Sequence, residues 1–137
     1  MRANELELKG EFEVTGWDEK PYHEGGGEKL TRASVTQKFS GAIDGEGSVE
    51  WLICYRPDGT ADFVALQRID ATIDGRSGTV VVRSAGVFDG EKAVGGWSVV
   101  DGSATGDLAG VTGNGHFEAP MGGTPTFELE LELAVHS

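Results

Sequence analysis

Apolar and polar residues alternate along most of this chain, most cleanly in its last segment. Phe127, Leu129, Leu131, Leu133 and Val135 fall on one parity, and Glu128, Glu130, Glu132 and Ala134 on the other. A period of two marks a strand with one buried face and one wet face. The chain opens in the same style, with Glu5-Leu6-Glu7-Leu8. Two such terminal strands can pair and close a sheet on itself, removing the exposed edges that promote aggregation. Between them, Phe12, Val14 and Gly16 alternate with Glu11, Glu13 and Thr15. Further on, Ala33, Val35 and Phe39 face one way and Arg32, Ser34 and Lys38 the other. Strands are also expected over 49–55, 61–73, 79–88 and 93–100, with a weaker one over 105–110 and a short one over 115–119. Pro21 and the glycines of the 23–28 loop are expected to end the first strand. No segment sustains a helical period over three turns.

Six Asp-Gly or Asn-Gly dipeptides punctuate this alternation, at 44, 58, 74, 89, 101 and 114. Such pairs favour tight hairpins, because both central positions of a type I′ turn need positive φ. Read as one strand per interval, they predict a meander of antiparallel strands. The expected fold is therefore all-β: an antiparallel barrel of about eight strands, with residues 1–137 as a single domain. A barrel of that size holds either side chains or one small ligand.

Charge and cysteine content narrow the partners. The formal net charge of −12 opposes binding to a nucleic-acid backbone or an anionic membrane surface. The single cysteine, Cys54, excludes an intrachain disulfide and reads as a structural thiol inside the protein. No apolar run has the length of a signal peptide or a membrane span, so a cytoplasmic location is expected. His23, His116 and His136 are scattered without zinc-site spacing, and no nucleotide loop or calcium loop is present. No metal and no cofactor is expected.

The candidate chemistry lies where a polar group interrupts an apolar strand face. Glu50 shares a face with Leu52 and Cys54, and Arg68 shares one with Val64 and Leu66. A charge inside a barrel needs a partner. Glu50 and Arg68 are therefore expected to point inward and pair, either as a structural bridge or as a general acid/base beside an anchoring guanidinium. The opposite arrangement competes directly with this one. Trp51 and Tyr55 lie on the face opposite Glu50, and Gln67 joins Phe63 and Ala65 opposite Arg68. If those faces point inward, both charges point out. Trp51, Tyr55, Phe63, Gln67, Arg83 and Trp97 form the candidate ligand-binding set, with Arg83 as an anchor for a ligand carboxylate.

Several ordered stretches resemble one bacterial family of unknown function, DUF3224. They are Val14-Thr15-Gly16-Trp17-Asp18-Glu19-Lys20-Pro21-Tyr22, the run from Leu30 to Gly41, Gly45-Glu46-Gly47-Ser48-Val49-Glu50-Trp51-Leu52, Phe63-Val64-Ala65-Leu66-Gln67-Arg68, Asp74-Gly75-Arg76-Ser77-Gly78, and Trp97-Ser98-Val99-Val100 with Gly102-Ser103-Ala104-Thr105-Gly106. The resemblance runs from about residue 10 to 119. It implies a barrel like that of allene oxide cyclases and dirigent proteins, whose members bind reactive apolar intermediates and steer their cyclisation or coupling. It carries no activity over. The chain departs from the family pattern at Arg83 and Ser84, where an amide and an imidazole are expected, and at Ala65, where glycine is usual.

The function expected on these grounds is binding of an apolar or amphipathic small molecule, with isomerase or cyclase chemistry by conformational steering. The alternatives are a non-catalytic carrier and a self-associating structural barrel, the latter a homo-oligomer.

Overall fold

The computed structural model describes residues 5–133. Eight antiparallel strands close into a barrel in simple sequence order. They are β1 (Glu5–Gly25), β2 (Glu28–Gly41), β3 (Ile43–Tyr55), β4 (Ala61–Ile73), β5 (Arg76–Phe88), β6 (Lys92–Val99), β7 (Thr112–Pro120) and β8 (Thr126–Glu132). β1 and β8 close the ring, with Leu6 opposite Leu131 and Leu8 opposite Leu129. This is the seam the terminal alternation implies. Ala134, Val135 and His136 lie outside the described residues. Among those described, no helix is long and apolar enough to cross a membrane.

Four of the six dipeptides sit where strands end. Asp74 and Gly75 both have positive φ, 51° and 76°, as a two-residue hairpin of type I′ requires. Asp58 and Asp89 instead fold their carboxylates back onto backbone N–H groups two or three residues on. Asp44-Gly45 and Asn114-Gly115 are not turns; they lie inside β3 and β7. A Cβ on Gly45 would stand 2.2 Å from the Asp70 carbonyl oxygen, and one on Gly115 2.1 Å from that of Glu128. Glycine is required there by close approach of the neighbouring strand, not by a turn. The β2–β3 reversal uses Gly41, at φ 90°.

The first strand also runs further than Pro21 suggests. Beyond Glu11, β1 leaves β8 and pairs with β2 alone. Its other edge is open, so a proline without an N–H costs no ladder bond there. Two register shifts, at Thr15 and at Tyr22, bend this arm. Bulges, Pro21 and the charges of Glu13, Asp18 and Lys20 keep the free edge from recruiting another strand. Residues 105–110, expected as a weak strand, instead hold a 3-10 turn over Gly106–Leu108. Leu108, 2% exposed, and buried Val111 help to plug that end of the barrel. The opposite end carries the β3–β4, β5–β6 and β7–β8 turns.

Candidate functional site

The interior is hollow toward the open end. A cavity of about 320 Å³ is lined by Phe12, Val35, Trp51, Ile53, Phe63, Trp97 and Phe117, with Val14, Trp17, Tyr55, Phe88 and Met121 nearer its mouth. β3 and β4 build most of one wall. Val49, Trp51 and Ile53 are buried on β3, as are Phe63, Ala65, Gln67 and Ile69 on β4. Alternation then sends Glu50, Leu52, Val64, Leu66 and Arg68 outward. Phe117 is the hub of the aromatic wall, 5.9 Å from Trp51, 6.0 Å from Phe63 and 5.8 Å from Trp97 between ring centroids.

The inward Glu50–Arg68 pair is therefore corrected. Glu50 lies on the outer face and accepts hydrogen bonds from Arg32 Nε at 2.9 Å, Arg32 Nη2 at 2.8 Å and Ser34 Oγ at 2.9 Å. Those bonds, the Arg32 ones first, lower its carboxyl below the ordinary range. Glu50 stands opposite Leu66 in the ladder, while Arg68 stands opposite Ser48. The reason is a choice of face: leaving Leu52, Val64 and Leu66 partly wet costs less than burying two charges. Arg83 is also exposed on the outer face, so no guanidinium waits in the cavity for a carboxylate. Cys54 is half-buried on the outer face rather than inside. His116 is exposed and meets Glu128 at 2.9 Å. Among the described residues, no three His, Cys, Asp or Glu side chains gather to hold a metal ion. Trp51, Tyr55, Phe63, Gln67 and Trp97 do line the cavity.

Two polar clusters interrupt the apolar lining. Deep in the barrel, the Gln67 side-chain amide donates to the Gln37 carbonyl oxygen. These residues sit on β4 and β2 and reach across β3. Gly47 makes the bridge possible, because a Cβ there would stand 3.2 Å from Gln67 Nε2 and 3.3 Å from Gln37 Oε1. Gln37 was legible as the one amide on the Ala33–Phe39 face, yet only the fold shows it meeting Gln67.

At the mouth, Glu19 accepts hydrogen bonds from Tyr55 Oη at 2.7 Å, Thr31 Oγ1 at 2.6 Å and Trp17 Nε1 at 3.0 Å. Simple alternation hides Glu19, because the bulge at Thr15 switches the phase of β1. Phe12 points inward before it; Trp17 and Glu19 stand opposite the inward residues Val35 and Ala33 after it. Burial opposes the Glu19 charge, but the three donors and the nearby Lys29 outweigh it and lower the carboxyl. The Tyr55 phenol is raised from 10.0 to about 12, by burial first and then by the Glu19 carboxylate.

The sign of the Tyr55 effect follows from linkage. A raised phenol means that the fold favours the neutral form, so its contribution to stability is complete below about pH 10. That contribution is lost as pH rises toward about 12. Absorbance titration at 295 nm should show one tyrosine ionising near pH 12. Tyr55→Phe should abolish that late step. A late step surviving in the variant would assign it to another group.

Together these observations define a single-chain β-barrel with an apolar, aromatic-walled cavity open at one end. The chain belongs to the DUF3224 family, described as a protein family of unknown function, whose model it matches over residues 8–131. The match reaches into β8, beyond the stretch that the residue resemblance covered. A crystal structure of a DUF3224 protein with unknown function from Shewanella oneidensis MR-1 has a similar fold, with a TM-score of 0.79 and 24% identity; the alignment covers 96% of this chain and 99% of that one. No curated protein matches the chain.

Proposed function

We propose that this protein is a small-molecule-binding barrel for an apolar or amphipathic ligand held among Trp51, Phe63, Gln67, Trp97 and Phe117, with Tyr55 at the entrance. The carrying observation is the hollow interior, about 320 Å³ with almost entirely apolar walls. A core of this kind is ordinarily filled by side chains at crystal-like density. Apolar cavities with a few placed polar groups are the common form of ligand sites.

Catalysis in such a room works by restricting the ligand to one conformation away from water, in the manner of allene-oxide-cyclase-like barrels. No described lining side chain is charged, and no nucleophile is aimed into the cavity, so a carrier role is the alternative. A separate observation supports self-association through the outside of the barrel. Leu52, Val64, Leu66 and Val87 are 47%, 53%, 59% and 42% exposed, on the outer face of three adjoining strands.

Titration with the uncharged dye N-phenyl-1-naphthylamine tests the cavity. Its fluorescence should rise to a one-to-one endpoint. Ala119→Trp, which puts an indole in the lining near the mouth, should remove the response while the β-type circular dichroism remains. Equal uptake by a folded Ala119→Trp variant would show that the dye binds elsewhere.

A further inference from the structure

The buried polar atoms that lack a partner in the protein are not scattered. Among the described residues, they are Trp51 Nε1, Ser84 Oγ and Trp97 Nε1. Their residues are 9%, 3% and 3% exposed. All three stand on one row of the inner wall, because Trp51 is opposite Ala65, Ala65 opposite Ser84, and Ser84 opposite Trp97. That row lies one inward step above the Gln37–Gln67 bridge, where Val49 faces Gln67. Trp51 and Trp97 both line the cavity. They are three strands apart in a ring of eight, so they face across the lumen rather than side by side. Ala65 and Ser84 leave that stretch of wall low.

An indole N–H can only donate, and a buried donor without an acceptor is costly. Trp17, by contrast, gives its indole N–H to Glu19. The open donors call for an acceptor on the ligand. An anion is disfavoured, since no described lining residue is cationic, the Glu19 carboxylate stands at the entrance and the chain carries −12. A cation could face the aromatic walls but brings no lone pair to the two N–H groups.

Resting on the reading of the cavity as a ligand site, we propose that its deep half is a donor subsite for an uncharged ligand bearing an acceptor oxygen. A ketone, ester or lactone fits, with Trp51 Nε1 and Trp97 Nε1 as the donors and an apolar body toward the mouth.

Four probes with one phenyl body separate the outcomes: acetophenone, α-methylstyrene, benzoate and phenyltrimethylammonium. In nitrogen-15 spectra the three tryptophans give three indole signals, of which Trp17 is the internal reference. Acetophenone should move the Trp51 or Trp97 N–H proton downfield. α-Methylstyrene should enter without that shift. Trp97→Phe or Trp51→Phe keeps an aromatic ring and deletes the donor. At least one should weaken acetophenone roughly three- to tenfold, the size of one net hydrogen bond, and leave α-methylstyrene unchanged.

Equal weakening of both neutral probes would make the indoles mere walls and overturn the subsite. So would tighter binding of benzoate or of phenyltrimethylammonium than of acetophenone. If α-methylstyrene enters but acetophenone moves no indole signal, the subsite falls and the binding barrel stands. If no probe enters, both fall. Should one variant fail to fold, the spectra of the unaltered protein and the other variant still decide.

Discussion

Phe39→Ala is expected to destabilise the barrel by about 3–5 kcal/mol, as large-to-small changes at a buried phenylalanine do. Phe39 is fully buried and sits on β2 below the cavity, toward the plugged end. Its ring lies 5.6 Å from Phe12, 6.2 Å from Trp97 and 5.8 Å from Phe127. It also occupies the space over Gly47, where a Cβ would stand 2.8 Å from it. The ring therefore joins strands on both sides of the closing seam and floors the amide bridge. Strands fixed by ladders on both sides cannot collapse far into the void, so the cavity term persists. A domain of this size is stable by only about 5–15 kcal/mol, so the loss is a large share. Urea unfolding should show a lower midpoint at nearly unchanged slope. A loss under about 1 kcal/mol would mean that the floor repacks freely.

The second large effect is at the seam. Leu131→Ala should cost about 2–5 kcal/mol. Leu131 is 4% exposed, stands opposite Leu6, and leans on Gly113, where a Cβ would come within 2.9 Å of its Cδ2. Its neighbour Glu130 points outward, opposite Glu7. Glu130→Ala should change stability by under about 0.5 kcal/mol, in the stabilising direction, because like charges directly opposite repel. Equal losses from the two substitutions would mean that β8 is not one-sided.

The legibility of this chain differs between its strands and its site. β8, β2 and β4 could be read almost residue by residue, because one face is apolar and the other polar and a slip would invert them. Glu19 could not be read, since the bulge at Thr15 leaves no mark in composition. Gly45 and Gly115 misread as turns for a related reason: glycine serves both positive φ and close backbone approach, and a sequence does not separate the two. The Glu50–Arg68 expectation failed on a genuine ambiguity. Both faces of β3 and β4 carry apolar residues, so periodicity gives the alternation without its sign.

What the sequence determined by itself is the all-β class, the strand count, and the pairing of the two ends, all of which follow from local alternation and turn chemistry. What only the tertiary structure decided is which faces point inward, that the barrel is hollow, and that Glu19 meets Tyr55 and Gln37 meets Gln67. These depend on closure. Once eight strands share one lumen, burial is decided jointly. The bulkiest aromatic set takes the interior and the charges take the outside. Residues 36 positions apart, such as Glu19 and Tyr55, become hydrogen-bond partners across the mouth.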